Sequence, residues 1–413
     1  MEEEYEDFLD QQDEGEQLEL AQMALNRGEN DTALDLAQDY LEEHPFDIEA
    51  LNICAVAASN LNDEATALAL YEKALRFDPR NGAIHHNYGV LLERLGDYEP
   101  ALHHFRRSLE LQPDFPEAYI NMGNLMDEMG RTEEALAMYD QALRRMPDSP
   151  DVYFNRGYTL NRLGRFDEAI ESFNRALAIN PTDAGSLNGR SYALAGSGRD
   201  EAALEGYSQA VAREPSVPTY RYNRGLSLAR LERIEEALAD FEAALEMDPE
   251  FYEAYIEKTS LLIALERYAE ALEVLDAAEE LEPDSPEPDF YRGVILEKQG
   301  DLPGALEALE RSLARDPDSI YTLNNKGNVL IDLGRLDDAL ACFDAIIKRT
   351  ARYPLAYYNR ACALARKGDA EGALKALRKA SKLDRHFIDD ARTDPDFDPI
   401  RHTPGFLKLI GVG

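Results

Sequence analysis

Apolar residues recur along this chain at the spacing of an amphipathic α-helix. Ile170, Phe173 and Leu177, for example, are three and four residues apart, which puts them on one face of a helix. The residues between them are mostly polar and would face water. The pattern returns every 34 residues, with two helical stretches in each period. It therefore predicts a chain built from paired amphipathic helices.

Prolines mark this period. Nine of them are spaced 34 residues apart, at Pro45, Pro79, Pro113, Pro147, Pro181, Pro215, Pro249, Pro283 and Pro317. Proline accounts for only 20 of 413 residues, so chance does not explain nine in unbroken register. Because proline has no N–H to donate, each is predicted to stop the second helix of its pair.

Small residues keep the same register. Alanine stands 22 residues after each of these prolines, at Ala67, Ala101, Ala135, Ala169, Ala203, Ala237, Ala271, Ala305 and Ala339. A small residue comes ten residues after the proline in every period, for example Gly157. Seven residues further on, glycine is usual, for example Gly164. The first two positions predict a close approach of the paired helices, and the third predicts a left-handed end to the first helix.

These positions, with an aromatic or leucine such as Phe173, resemble the tetratricopeptide repeat. The resemblance implies an all-α fold, an α-solenoid in which about eleven helical hairpins wind into a right-handed superhelix. It covers residues 14–387 without an insertion, as one elongated domain. We call the first helix of each hairpin the A helix and the second the B helix.

The two ends depart from the period. Residues 1–13 are nearly all acidic or polar and are expected to be a disordered tail. Residues 388–413 contain Phe406, Leu407, Leu409 and Ile410. Since a solenoid needs a cover for its last apolar face, we interpret this segment as a C-terminal cap.

The charge balance narrows the classes of partner. The chain has 81 Asp and Glu against 43 Lys and Arg, a formal net charge of −38. Such a field repels nucleic acid and anionic lipid, and no apolar run is long enough for a membrane span. The odd number and wide spacing of the three cysteines argue against a disulfide framework. We expect a cytoplasmic protein with no membrane insertion.

Three groups of residues support only weak chemical hypotheses. Asp394, Asp396 and Asp398 have the 1-3-5 spacing of a calcium loop, but Pro399 replaces the required glycine, so a helix-capping turn is favoured. Four histidines of one repeat, from His85 to His104, are too few on any one face for zinc. Ser191 lies in a near-match to a hydrolase elbow, but on a helix. We expect no cofactor, no metal and no enzymatic activity.

The resemblance implies that the A helices line a concave groove, with the second, fifth, sixth, ninth, twelfth and thirteenth repeat positions facing it. The sixth position carries Asn87, Asn121, Asn155, Asn223, Asn325 and Asn359. A row of exposed amides can bind the backbone of an extended peptide. The superhelical repeat domain of O-linked N-acetylglucosamine transferases is similar in this respect. Local bonding within the repeats is the alternative.

Basic and aromatic residues accompany the asparagines. The predicted groove residues of these two kinds are Arg156, Arg162, Arg190, Arg224, Arg230, Phe154, Tyr158, Tyr192 and Tyr222. Together they favour an extended partner, with an acidic peptide as one candidate. Two alternatives stay open for the cations: a favourable interaction with the helix dipole, and side-chain stems laid on neighbouring hairpins.

These observations predict a scaffold or adaptor that binds a protein or extended peptide in its groove. Two alternatives stay open. One is the substrate-recognition subunit of a separately encoded enzyme, such as a glycosyltransferase. The other is an assembly factor for an envelope or secretion complex. The sequence leaves the partner and the oligomeric state undetermined.

Overall fold

A computed structural model describes residues 16–411, so the tail predicted for residues 1–13 lies outside the described residues. Within this range the regular structure is entirely helical, which confirms the all-α prediction. The chain divides into two compact units, Met1–Glu214 and Pro215–Gly413. In each unit the helices form successive antiparallel hairpins that pack on their neighbours.

The first unit contains six hairpins. Its helices are α1 (16–26), α2 (Asn30–Glu43), α3 (Ile48–Asn60), α4 (Glu64–Phe77), α5 (Gly82–Arg94), α6 (Tyr98–Leu111), α7 (Pro116–Glu128), α8 (Thr132–Arg145), α9 (Pro150–Arg162), α10 (Phe166–Ile179), α11 (Ala184–Gly196) and α12 (Asp200–Arg213). Odd-numbered helices are A helices and even-numbered ones are B helices.

The second unit contains five hairpins and a terminal segment. Its helices are α13 (Pro218–Arg230), α14 (Ile234–Met247), α15 (Tyr252–Ala264), α16 (Tyr268–Leu281), α17 (Glu287–Lys298), α18 (Leu302–Arg315), α19 (Ile320–Asp332), α20 (Leu336–Arg349), α21 (Pro354–Lys367), α22 (Ala370–Leu383), α23 (His386–Thr393), a 3-10 helix (Pro395–Ile400) and α24 (Pro404–Ile410).

The turn inside each hairpin has the predicted left-handed residue. Gly164, for example, has φ 69°, and no atom would contact a side chain added there. Three turns keep this conformation without glycine, at Asn62, Glu232 and Glu266, where φ lies between 57° and 61°. A left-handed non-glycine residue costs roughly 1–2 kcal/mol, so these turns are held by the packing on either side of them.

The two helices of a hairpin meet at the small residue of the A helix. A Cβ added to Gly157 would lie 2.8 Å from Cζ of Phe173, whose ring is fully buried on the B helix. Gly123 meets Tyr139 and Gly327 meets Phe343 in the same way. The period therefore encodes a close helix approach over an aromatic side chain, as predicted.

The terminal segment buries aromatic side chains against the last hairpin. Phe397 and Phe406 have no exposed surface, and their ring centroids are 5.5 Å apart. Tyr358 of α21 lies 5.7 Å from Phe397 and 4.8 Å from Phe387. The core of the last hairpin thus continues into residues 388–411, where the sequence predicts a cap.

Candidate functional site

The sixth-position asparagines connect neighbouring A helices. Four of them use Nδ2 to bond to the preceding A helix over 2.8–3.0 Å, namely Asn87 to Asn52, Asn121 to His86, Asn155 to Asn124 and Asn359 to Asn324. His86 also lies 3.2 Å from the amide oxygen of Asn87. With its proton on Nδ1, His86 donates to Asn87 and accepts from Asn121, which makes a continuous relay across three A helices.

The other asparagines are placed differently. Asn325 donates to the backbone oxygen of Tyr321 in its own helix, 3.1 Å away, and Asn223 lies partly buried on α13. Asn359 is only 9% exposed. Five of the six asparagines thus donate from Nδ2 to other groups of the protein, as the alternative of local bonding within the repeats requires. Peptide binding by the row of sixth-position asparagines remains a prediction that rests mainly on their amide oxygens.

The residue after the sixth repeat position, which is the seventh, is basic in seven consecutive repeats from Arg156 to Arg360. Most of these side chains extend onto the preceding B helix. Five of them pair with an acid sixteen residues earlier over 2.6–3.0 Å, namely Arg156 with Asp140, Lys258 with Glu242, Arg292 with Asp276, Lys326 with Glu310 and Arg360 with Asp344. Arg190 donates to Asn174 at the same offset over 3.2 Å. These side chains join one hairpin to the next, which is the stem-packing alternative.

Arg224 is paired differently. It donates from Nε and Nη2 to the two carboxylate oxygens of Asp240, both at 2.6 Å, and Asp240 lies in its own hairpin. The Asp240 side chain is 5% exposed, so this is a buried bidentate pair. Hydrogen bonding to Asp240 raises the pKa of Arg224. Arg156, Arg190 and Arg224 all therefore have internal partners, and contact with a ligand remains a prediction for them.

Four predicted groove residues converge on one hollow in the first unit. It lies between α7 and α9, has a volume of about 280 Å³ and is lined by Phe154, Asn155, Tyr158 and Arg162. We call it the α7–α9 hollow. Phe154 gives it an apolar wall, backed by Phe173 at a ring distance of 6.0 Å. Asn155 and Arg162 add hydrogen-bonding groups beside that wall.

An ion pair borders the hollow. Arg162 donates from Nη1 to Oδ2 of Asp127, 2.8 Å away, and the Asp127 residue is 8% exposed. The second oxygen of Asp127 has no hydrogen-bond partner among residues 16–411. The Arg162 side chain is 45% exposed, so part of its guanidinium faces solvent. It can therefore donate to an incoming acceptor while it stays anchored on Asp127.

Ninth-position side chains form a row on adjacent A helices of the first unit. They are Asn124 on α7, Tyr158 on α9 and Tyr192 on α11. Tyr158 is 55% exposed and Tyr192 is 50% exposed. Asn124 accepts from Tyr139 over 2.9 Å and from Asn155. We call these three residues the ninth-position row, and two of them offer aromatic rings to solvent.

Two more predicted groove residues belong to the second unit. Tyr222 packs on Phe251, with centroids 4.8 Å apart, and burial raises its pKa to about 12. Arg230 is exposed at the end of α13 and lies 3.4 Å from Ser227. The second unit has a different hollow of about 400 Å³, lined by Phe290 and the 65% exposed Tyr321.

Asn124 and Asp127 line the α7–α9 hollow but were not singled out from the sequence. They occupy the ninth and twelfth repeat positions, which the family resemblance already assigns to the groove. The repeat position alone would therefore predict that both face the groove. Their residue types do not distinguish them, because asparagine and aspartate recur at many other positions of this chain.

The histidines form a packed cluster around α5 and α6. Nδ1 of His85 lies 2.9 Å from Nδ1 of His104, and Nε2 of His85 lies 3.2 Å from the backbone oxygen of Pro79. Burial, followed by the neighbouring histidines, lowers the pKa of His104 to about 4. These are interhelix histidines, and among residues 16–411 they do not form a group with metal-ligand geometry.

Asp394 has a structural role at the end of the chain. Its side chain accepts from the backbone N–H of Asp396 over 2.9 Å, which is the capping turn favoured over a calcium loop. Its other oxygen accepts from Tyr358 over 2.6 Å. Cys362 donates weakly to the same oxygen, with Sγ 3.7 Å away. Asp394 thus ties the terminal segment to α21.

The sequence profile described as tetratricopeptide repeat matches residues 18–82, 120–184, 258–320 and 324–385. Further profiles with that description match residues 82–115 and 218–251. More than half of the chain is matched, so it belongs to the tetratricopeptide repeat family. Membership implies a role in protein–protein interaction.

Solved structures of the same architecture resemble the whole length of this chain. Yeast Tom70 is 16% identical, with 98% of this chain and 100% of that chain covered at a TM-score of 0.50. The Cut9–Hcn1 hetero-tetramer of APC/C is 12% identical, with 94% and 95% covered, also at 0.50. At these identities the likeness shows the fold alone. No match to a curated protein is found by sequence. No helix within residues 16–411 is long and apolar enough to cross a membrane.

Proposed function

We propose that this protein is an interaction scaffold that binds an extended segment of a partner protein along the A helices of its first unit. The supporting observation is the α7–α9 hollow with the ninth-position row beside it. The hollow offers an aromatic wall, an amide and a half-exposed arginine side chain. Binding sites for peptides combine apolar and polar groups in this way.

The spacing suits an extended chain. Packed helices lie about 8–10 Å apart, and an extended peptide advances about 3.3 Å per residue. In the polyproline II form of an extended chain, which has three residues per turn and a rise of about 3.1 Å, side chains three residues apart share one face and would meet Tyr158 and Tyr192 in turn. Aromatic side chains supply much of the energy at interfaces because they bury a large area with little entropy loss. Phe154 and Asn155 would hold the first anchor.

Peptide selection tests this proposal. A library of displayed 12-residue peptides is selected on the full chain, and the affinity of the enriched peptides is measured by calorimetry. We expect micromolar dissociation constants, about −8 kcal/mol. Tyr158→Ala combined with Tyr192→Ala should weaken binding at least tenfold.

Phe77→Ala is the matched control. Phe77 is 49% exposed, but it lies at the end of B helix α4, away from the hollow. Selected peptides should bind this variant as tightly as the unmodified chain. Equal losses in both variants, or unchanged binding by the tyrosine variant, would contradict the proposal. The two alternative roles, as an enzyme's recognition subunit or an assembly factor, would use the same surface and differ in the partner recovered.

A further inference from the structure

The last hairpin of the second unit carries a further hollow. It has a volume of about 760 Å³ and lies among B helix α20, A helix α21 and B helix α22. Apolar side chains of Ile347, Tyr357 and Leu364 line part of it. The exposed residues Lys375, Arg378, Lys379 and Lys382 of α22 line the rest, together with Arg360. We call it the basic hollow.

The charges of this hollow are unbalanced. Its two acids are already engaged, since Asp344 pairs with Arg360 at 2.6 Å and Asp369 caps α22 through the N–H of Gly372 at 2.9 Å. None of the four α22 cations forms an ion pair with any residue from 16 to 411; only Lys379 has a ring contact, 5.8 Å from the centroid of Tyr357. In a chain of net charge −38, residues 354–387 hold eight Lys and Arg against three Asp and Glu. The hollow is therefore positively charged in a protein whose net charge is negative.

The repeat register shows where the reversal occurs. In the preceding hairpins of this unit, the B-helix position equivalent to Arg378 holds the acid that pairs with the next hairpin, at Glu242, Asp276, Glu310 and Asp344. Within residues 16–411, α22 is followed by the terminal segment in place of a further hairpin, and its equivalent position, Arg378, is basic. The series of acids on B helices therefore ends at a basic residue, Arg378, which would pair with an acid of another molecule.

We propose that the basic hollow binds an acidic peptide segment of a partner protein, with an aromatic or aliphatic side chain next to its carboxylates. The carboxylates would pair with Lys375, Lys379 and Arg378. The apolar side chain would pack on Ile347 and Tyr357. An anionic bilayer or a nucleic acid fits less well, because a net charge of −38 repels extended polyanions, whereas a short segment meets only the local field within a Debye length of about 8 Å.

Fluorescence anisotropy on the full chain tests the proposal at 0.15 M salt. The probe is a fluorescein-labelled ten-residue peptide of Glu and Asp around a central Phe-Leu pair. We expect micromolar binding that falls at least tenfold in Lys375→Glu combined with Lys379→Glu. Replacing the Phe-Leu pair of the probe with Ala-Ala should weaken binding about fivefold, since it removes most of the buried apolar area.

Lys348→Glu combined with Lys408→Glu is the matched control, because it makes the same charge change at exposed residues outside the hollow. It should change the affinity less than twofold. Tyr158→Ala combined with Tyr192→Ala should leave probe binding intact, so this test stands apart from that of the proposed function. Equal losses in the control, or equally tight binding of an oligonucleotide or of phosphatidylserine vesicles, would overturn the assignment. So would tighter probe binding after removal of residues 1–13, which would make the chain's own tail the occupant.

Discussion

Replacing Gly157 with alanine tests the packing that closes each hairpin. A Cβ at this position would lie 2.8, 2.9 and 3.0 Å from three atoms of the Phe173 ring. The ring cannot retreat towards the next hairpin, because a Cβ at Gly189 would already be 2.5 Å from it on that side. Phe173 is thus clamped between two glycines. The added methyl group must displace an aromatic side chain that has no free space.

The magnitude follows from two opposing effects. Alanine is favoured over glycine inside a helix by about 1 kcal/mol. Overpacking a core costs about 1–3 kcal/mol, and the clamp on Phe173 places this site in the upper part of that range. We therefore expect Gly157→Ala to lower the free energy of unfolding by about 1–2 kcal/mol. A substitution that improves helix propensity should thus destabilise the protein.

Guanidinium unfolding followed by circular dichroism measures the effect. Hydrogen exchange in α9 and α10 should accompany it, because repeat arrays need not unfold in one step. Phe173→Leu supplies the internal check. The last hairpin has Ala361 and Leu377 at the equivalent positions, so Gly157→Ala combined with Phe173→Leu copies a pair that the chain already uses. The two substitutions should be coupled by about 1 kcal/mol in favour of the double variant.

Gly164→Ala is the control for this experiment. Its φ is 69° and nothing lies within 4 Å of an added Cβ, so its cost arises from backbone strain alone. Phe173→Leu should not relieve that cost. The packing explanation is refuted if Gly157→Ala is as stable as the unmodified protein, or if the coupling to Phe173→Leu is absent.

Three further outcomes are expected. Arg224→Met should cost about 3 kcal/mol in denaturant unfolding, because it leaves the buried Asp240 with only Arg221, whose Nη1 lies 3.6 Å away; a loss below about 1 kcal/mol would mean that Arg221 is a sufficient partner. Glu266→Gly should raise the free energy of unfolding by about 0.5–1 kcal/mol by relieving a φ of 57°, and a destabilised variant would exclude strain at this turn. Burial lowers the pKa of His104 to about 4, so the folded state disfavours its protonation and stability is lost as pH falls from 6.5 towards 4. His104→Gln should show a shallower loss over that window in thermal melts, and identical profiles would refute this assignment.

The period predicts the helices well because its signals are local. Proline after the B helix and glycine after the A helix act within a few residues, and the helices end where those residues require. Buried positions follow from the same register, since an alanine such as Ala169 and an aromatic such as Phe173 both have no exposed surface. Local backbone chemistry and apolar spacing are enough for this level of detail.

The side-chain contacts of the candidate site were harder to predict, because a long polar side chain can extend in several directions from the same helix position. Arg156 could have pointed towards the groove, but an acid sixteen residues earlier holds it against the preceding hairpin. The size match between Ser191 and Gly206 could not be predicted for a similar reason. Ser191 is larger than the usual glycine, and Gly206 opposite it is smaller than its equivalents, since a Cβ there would lie 2.1 Å from the serine Oγ. Each choice depends on a partner from another helix, which the spacing alone does not reveal.

The acid–base pairs between hairpins also determine how such a chain tolerates gain or loss of sequence. Every pair from Glu242 to Arg360 uses the same sixteen-residue offset. If residues 286–319 were excised, Asp276 would stand sixteen residues before Lys326, and an acid would again face a base. Recombination in steps of 34 residues can therefore change the number of hairpins and still leave each acid sixteen residues before a base. A shorter deletion between the two members of a pair, such as loss of residues 280–285 between Asp276 and Arg292, removes the sixteen-residue offset of that pair.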